Sequence, residues 1–285
     1  MNARIRIAVG GATGAAVTGT RTLTGGDINH AYAATLEDGR EVFVKASRTG
    51  QASPEMFRAE ARGLAWLEAA GALRVPTVIA TGDDFLVLEL IRPTRPGRSF
   101  DEELGRGLAA LHRASPATFG LDHDNFIGTL PQSNRLAGRW SDFYASARLE
   151  PQLKRAIDGG RMSPTVERGM RRVMSDLDRL VGPPEPPARL HGDLWSGNLM
   201  CDDRGAPCLI DPAVYGGHRE MDLAMMRLFG GFSTRTLDAY KEAFPLAPGH
   251  RERVALYQLY PLLVHLNLFG GSYLGAVEAA LATIA

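Results

Sequence analysis

An α+β fold in two lobes is predicted, an N-terminal antiparallel sheet carrying one helix and then a mostly helical lobe. Three observations predict it. Within the first 91 residues, short runs rich in β-branched and aromatic residues alternate with Gly- and Asp-containing turns around one long amphipathic run. Next comes Arg92-Pro93-Thr94-Arg95-Pro96-Gly97-Arg98, a Pro/Gly-rich break. Beyond it, apolar residues recur at helical spacing almost to the end. The expected lobes are 1–91 and 92–285, each long enough to bury its own core.

The first lobe opens on Met1 to Ile7, basic but without the apolar region and cleavage site of a signal peptide. Gly10-Gly11-Ala12-Thr13-Gly14 invites a dinucleotide-binding reading. No strand precedes it and no βαβ unit follows, so it is expected to be a helical lead-in. Thr22 to Ala33 reads as strand, glycine turn (Gly25, Gly26), strand, and Asp38-Gly39 makes a second turn. Glu41 to Lys45 is a third strand. Met56 to Leu67 is a helix with Phe57, Leu64 and Leu67 on one face and Glu60 close to that stripe. Val75 to Ala80 and Phe85 to Ile91 complete the sheet.

In the second lobe, helices are expected over Glu102 to Arg113, Trp140 to Leu153, Pro164 to Leu180, Arg251 to Phe269 and Ser272 to Ile284. Phe119 to Gln132 is expected to be a polar loop, and Val181 to Pro187, with four prolines, an extended lead into the next strand. Asn198 to Cys201 and Pro207 to Asp211 flank the turn Asp202-Asp203-Arg204-Gly205 as a hairpin. A turn centred near Arg204 and Gly205 would pair residues whose numbers sum to about 409. That register would set Asn198 opposite Asp211 and Cys201 opposite Cys208. A cross-strand disulfide is then conceivable, though two small core thiols in a reducing cytosol are the plainer expectation.

The chemistry concentrates in that hairpin. An isolated Asp usually serves a cap or a turn. Here Asp193 and Asn198 stand five positions apart in His191-Gly192-Asp193-Leu194-Trp195-Ser196-Gly197-Asn198. This is the Asp-to-Asn spacing of a kinase catalytic loop, in which the Asp receives the acceptor's proton and the Asn binds a metal. Asp211 adds a second hard oxygen ligand, and Mg²⁺ needs few protein groups. Lys45 at a strand end and Glu60 on the following helix are each unremarkable alone. Ahead of such a hairpin they read as the pair that fixes ATP phosphates, beneath the Gly25 and Gly26 turn. The backbone from Glu89 to Ile91 would meet the adenine. On this reading 1–91 is the ATP-binding lobe, and 92–285 holds the catalytic hairpin and the acceptor site. Asp222, at a helix start, is expected to cap that helix or to brace the catalytic loop. His112 is expected to be structural.

Composition excludes other classes. Lys plus Arg and Asp plus Glu are 32 each, so bulk charge gives no reason to expect nucleic acid. No apolar run reaches the roughly 20 residues of a membrane span. A cytoplasmic enzyme without nucleic-acid or membrane partners is expected, as a monomer or weak dimer.

The stretches Leu190 to Asn198 and Ile210 to Phe232 carry a resemblance, together with the Gly25 to His30 loop and Asn125-Phe126-Ile127-Gly128 with Gln132 and Asn134. They resemble the fructosamine kinase (ketosamine kinase) family, within the aminoglycoside phosphotransferase-like kinases of protein-kinase-like fold. The resemblance runs over nearly the whole chain. It implies ATP- and Mg²⁺-dependent phosphorylation of a sugar hydroxyl on a small-molecule or protein-bound ketosamine. The product is unstable, so the sugar leaves and the amine is repaired. Carried over residue by residue, Asp193 is the base, Asn198 and Asp211 are the metal ligands, and Lys45 with Glu60 fixes the phosphates. Trp195 stacks on the substrate, and His218, Arg219 and Asn125 line the acceptor site. Some members carry a cysteine in the glycine loop, linked to redox-sensitive dimers. This chain has none there, and that switch is not expected. Two other readings stay open at this point: a kinase of the same fold acting on an aminoglycoside, choline or homoserine, and a nucleotide-binding pseudokinase scaffold.

Overall fold

In the computed structural model, which describes residues 1–23, 29–48 and 54–284, the chain divides into two units. One comprises Met1–Phe100 with Leu199–Pro212, the other Asp101–Asn198 with Ala213–Ala285.

The first unit is built on a five-stranded antiparallel sheet of order β1-β2-β3-β5-β4. Its strands are β1 (Val17–Leu23), β2 (His30–Leu36), β3 (Glu41–Ala46), β4 (Val78–Thr81) and β5 (Phe85–Glu89). Two helices accompany it, α1 (Ala3–Thr13) and α2 (Pro54–Glu68). The glycine-rich lead-in is therefore helical, as the missing βαβ pattern implies. The Asn2 side chain accepts from the Ile5 N–H at its start, and Gly14, at φ 74°, ends it in the left-handed region. Ile5 and Val9 of α1 pack into one core with Leu36, Val42, Val44 and Val87. Strand periodicity does the rest. The alternation that buries Val42, Val44 and Ala46 sends Phe43 and Lys45 to the opposite face of β3.

Residues Leu199–Pro212 belong to this unit, and the first segment runs on to Phe100 instead of ending at residue 91. The reason is local bonding. Cys208 bridges Arg74 in parallel and the Leu209 N–H donates to the Arg74 carbonyl. The Gly97 N–H donates to the Gly205 carbonyl at 2.9 Å. The Arg74 guanidinium also spans Asp202, Asp203 and Glu89.

The second unit is mainly helical. Its largest core gathers Phe143, Tyr144, Leu149 and Leu153 with Tyr257, Tyr260, Leu263 and Leu266. The helix expected from Trp140 runs on to Asp158, and its middle, Tyr144–Leu149, is wound as a π-helix. The segment 119–132 is not all loop. Asn125–Ile127 and Leu130–Gln132 pair as a short hairpin around Gly128, at φ 58°. Three-residue strands leave no room for a period-2 signal, and Pro131 argued against a strand. Ala188–Leu190 pairs antiparallel with Tyr215–Gly217 and leads into the His191 segment. Among the described residues no helix is long and apolar enough to cross a membrane.

Candidate active site

Lys45 is the hub of the first unit's polar cluster. Its Nζ donates to both Glu60 carboxylate oxygens at 2.9 and 2.8 Å and to Asp211 Oδ1 at 2.9 Å. Burial works against the ammonium charge, but the Asp211 and Glu60 carboxylates outweigh it and hold the lysine pKa above its ordinary value. Glu60 behaves oppositely. Burial, opposed by Lys45 and aided by the Asp211 charge, pushes its carboxyl up to about 7. Between about 4.5 and 7 the folded state thus keeps a proton that the unfolded chain has lost, so stability falls as pH rises through that window. The expected result is that the urea midpoint of the wild type, taken relative to that of Glu60→Gln, declines from pH 5 to pH 7.5. A difference that grows over that range would refute it.

Asp211 has φ 52° and is the one non-glycine residue with positive φ among the described residues. Such backbone is held only where the surroundings over-determine it, most often at functional positions. Its carboxylate is 42% exposed and offers hard oxygen of the kind Mg²⁺ prefers. Among the described residues no group of three or more His, Cys, Asp or Glu side chains makes a self-sufficient metal cage.

The register of the hairpin differs from expectation by one. Pro207 pairs with Cys201, Cys208 with Met200 and Leu209 with Leu199, so the numbers sum to 408. The Gly205 N–H closes a turn on the Asp202 carbonyl, and Gly205 itself is at φ 83°. The loop is thus a turn followed by a left-handed glycine bulge, one residue longer than the symmetric turn assumed. The Asp202 side chain accepts from the Arg204 and Ala206 N–H groups and locks it. The ladder therefore pairs neither Asn198 with Asp211 nor the two cysteines with each other. Both thiols are free, and burial pushes that of Cys208 up to about 12.

Glu89 closes β5. Its N–H donates to the Thr77 carbonyl at 2.9 Å, and its carboxylate takes Arg74 at 2.5 Å. Ile91, two residues on, is buried. Gly25 and Gly26 lie outside the described residues.

The second unit holds Asp193 and Asn198. The Asn198 amide nitrogen donates to the Asp193 carbonyl at 2.9 Å and to Asp193 Oδ2 at 3.1 Å. That contact turns the Asn198 carbonyl oxygen, a second hard donor, away from Asp193. The loop is held from behind by Asp222, whose oxygens accept from the His191 N–H at 2.8 Å and the Gly192 N–H at 2.9 Å. Asp222 therefore braces the loop, the second of the two roles expected for it. Burial would favour its neutral form, yet the His112 ring, His191 and the Gly192 N–H hold its carboxyl below the ordinary range. His112 is structural as expected, its ring lying between Asp222 Oδ2 at 3.2 Å and the Tyr240 hydroxyl at 2.8 Å. Gly192 is obligatory. It sits at φ 85°, and a Cβ there would lie 2.0 Å from the Ala213 carbonyl oxygen.

Trp195 is 39% exposed, beside the loop. Its indole lies across Gly197, where a Cβ would come within 2.2 Å of the ring, and meets Phe229 edge-on at 6.3 Å. Three other residues expected at the acceptor site are not at an open surface. Arg219 is buried, with its guanidinium committed to Glu185 and to the Phe244 and Pro245 carbonyls. His218 is buried and stacks on Tyr257 at 5.1 Å, and burial drives its pKa down to about 4. The buried Asn125 amide donates to the Val214 carbonyl, and its oxygen accepts from Gln132 and Asn134. Arg219 and Asn125 thus serve the scaffold as buried polar groups satisfied by their neighbours, whereas His218 accepts from the Glu220 N–H through Nδ1 and leaves Nε2 without a hydrogen-bond partner among the described residues.

A residue that sequence reading passed over joins them. Arg148, fully buried in the π-turn, donates to Asn134 Oδ1 and the Ser133 carbonyl and lies 3.8 Å over the Tyr215 ring. No periodic signal marks a π-turn, so nothing in the pattern set this arginine apart.

A lysine on a five-stranded antiparallel sheet paired with a glutamate on the helix beside it, and an Asp–Asn loop in a helical unit, are the equipment of the protein-kinase-like phosphotransferases. Solved structures agree on that fold. An aminoglycoside phosphotransferase, APH(2″)-IIa, in its streptomycin–ATP complex shares 14% identity at a TM-score of 0.67, covering 99% of this chain and 96% of its own. The chain belongs to the fructosamine kinase family, whose profile matches residues 2–285. It is an ATP-dependent phosphotransferase acting on a hydroxyl. Its similarity to a Thermobifida fusca protein whose crystal structure carries the name fructosamine-3-kinase is 41% identity at a TM-score of 0.92, covering 98% of each chain. It is also 39% identical to a probable ketoamine kinase of Enterococcus faecium, over 91% of this chain and 92% of that one. To the chloroplastic protein-ribulosamine 3-kinase of Oryza sativa subsp. japonica it is 36% identical, over 90% of this chain and 76% of that one.

Proposed function

We propose that this enzyme transfers the γ-phosphoryl group of ATP to a sugar hydroxyl of ketosamines, of ribulosamine or fructosamine type. The observation that carries this reading is the end-to-end match to the fructosamine kinase family. The chain keeps Lys45, Glu60, Asp193, Asn198 and Asp211 together. A scaffold that merely held nucleotide would have no use for a loop carboxylate so tightly braced. The aminoglycoside phosphotransferase likeness, at such low identity, speaks for fold alone.

In the proposed reaction Asp193 orients the acceptor hydroxyl and takes its proton as the oxygen bonds to phosphorus and ADP departs. Asn198, by donating to Asp193 Oδ2, fixes which carboxylate oxygen faces the acceptor. Lys45, steadied by Glu60, holds the phosphates, with the Glu89 to Ile91 backbone at the adenine. Asp211 and Asn198 supply oxygen to Mg²⁺, which neutralises phosphate charge when bound. The segment 1–91 serves ATP, and 92–285 carries the acceptor site. Trp195 offers its ring to the sugar. The phosphorylated product loses its sugar and frees the amine, a deglycation repair. The enzyme works in the cytoplasm, as a monomer or weak dimer, on free or protein-bound ketosamine.

The test is ATP consumption with Mg²⁺, run in parallel on ribulosyl-lysine, fructosyl-lysine, an aminoglycoside and choline. Turnover on a ketosamine alone is expected. Turnover confined to the aminoglycoside or choline would overturn the substrate and leave the chemistry standing.

A further inference from the structure

The second unit carries a connected row of aromatic rings that starts at the catalytic loop and runs away from it. Trp195, two residues after Asp193, meets Phe229 edge-on at 6.3 Å. Phe229 meets the His265 ring at 4.7 Å. His265 in turn meets Phe269 at 5.5 Å and Tyr273 at 5.1 Å, and those two lie 6.2 Å apart. Phe229 and Phe269 are exposed, at 41% and 54%. A contiguous exposed aromatic surface of this kind commonly marks a binding site.

The row is built to stay in place. His265 Nδ1 lies 2.8 Å from the Pro261 carbonyl, one helical turn back, which fixes the ring at the centre of the row. Trp195 is seated over Gly197. The row is also uncharged. No Asp, Glu, Lys or Arg occurs from Val254 to Val277 or from Leu228 to Thr234. Burial lowers the His265 pKa and favours its neutral form. A phosphate or a carboxylate would find no cation of these segments to pair with, and a cationic ligand no carboxylate. What such a surface does bind is an apolar or aromatic group, through ring contact and desolvation.

We propose that Phe229, Phe269 and Tyr273 form an outer subsite for the amine carrier of the substrate, selecting ketosamines whose amine bears an apolar or aromatic group. This rests on the ketosamine reading given above. The acceptor sugar lies at Asp193 and Trp195, and the carrier is the part of a ketosamine that must extend beyond the sugar. The rings beyond Trp195 are continuous with that position, which is why the carrier, not a second copy of this chain, is the occupant.

Two ketosamines of one sugar that differ only in an uncharged group on the amine test it: N-ribulosyl-ethylamine and N-ribulosyl-phenethylamine, each with Mg²⁺ and ATP. The wild type is expected to favour the phenethylamine by roughly tenfold in kcat/KM, mostly through KM, the scale of an aromatic contact plus partial ring burial. In Phe269→Ala and in Tyr273→Ala the preference should fall towards one, with the loss confined to the phenethylamine. Phe269 is a surface residue, so its replacement tests contact and not folding. Turnover of both compounds with equal kcat/KM in the wild type would overturn the subsite and leave the ketosamine reading intact. So would equal losses on both in the variants, or sedimentation showing a dimer that Phe269→Ala dissolves. Turnover of neither compound, nor of ribulosyl-lysine, would bring down the ketosamine reading itself.

Discussion

Replacing Asp193 by Asn should lower turnover by at least ~100-fold, the usual scale for a positioned base, and leave ATP affinity nearly unchanged. The substitution keeps size and polarity but removes the ability to take a proton. It also preserves an oxygen for the Asn198 amide, which now donates to Asp193 Oδ2 at 3.1 Å. The loop should therefore keep its shape, held as before through the His191 and Gly192 N–H groups. Lys45, Glu60 and Asp211, which belong to the other unit, are untouched. The measurement is single-turnover kinetics on ribulosyl-lysine alongside nucleotide titration. Turnover close to wild type would remove Asp193 from the mechanism. A parallel collapse in ATP binding would show the variant to be damaged more widely than the argument allows.

Asp222→Ala should be the most destabilising single change near the site, by about 3–5 kcal/mol, the scale for breaking one side of a buried charged network. Asp222 is buried and its two oxygens serve the His191 N–H, the Gly192 N–H and the His112 ring. Alanine leaves all three without that acceptor, and water has poor access because His191 and His112 are themselves buried. Each orphaned donor costs roughly 1–3 kcal/mol. A urea midpoint well below wild type with an unchanged slope is expected, together with lost turnover, since the loop that aims Asp193 loses its anchor. Asp222→Asn, which keeps one carbonyl acceptor, should fall between the two. A midpoint for Asp222→Ala matching the wild type would show that the loop holds itself.

Both predictions concern residues that sequence spacing already singled out, but for different reasons. Asp193 is legible because the proposed chemistry sets Asn198 five residues on, and local spacing is a property of the chain itself. Asp222 is legible only as a polar residue at a helix start. Which N–H groups it reaches, thirty residues away, is decided by the packing of its helix. Lys45 and Glu60 stand between these cases. Strand alternation fixes the face of Lys45, and helical spacing fixes that of Glu60. Their contact at 2.8 Å depends on how α2 docks.

Other features were hidden from the pattern. The bulge at Gly205 shifts the hairpin by one residue, because a turn one residue longer looks nearly the same in composition and alters every pairing. His218, Arg219 and Asn125 stand in motifs that resemble the family's, and a motif does not say whether its side chain points outward or inward. Arg219 turned out to be held by Glu185, which lies in a proline-rich lead with no periodicity to read. The aromatic row joins Trp195, Phe229, His265 and Tyr273 from segments far apart in the chain.

By itself, then, the sequence determined the order of sheet and helices and singled out the loop from His191 to Asn198, since both follow from periodicity or from spacing within a few residues, while the family came from the resemblance of its motifs. Tertiary structure alone decided which polar residues are buried and braced, which turn sets the hairpin register, and which rings meet outside the loop. Those outcomes depend on contacts between residues distant in sequence, whose free energy belongs to the packed core and not to any single stretch of chain.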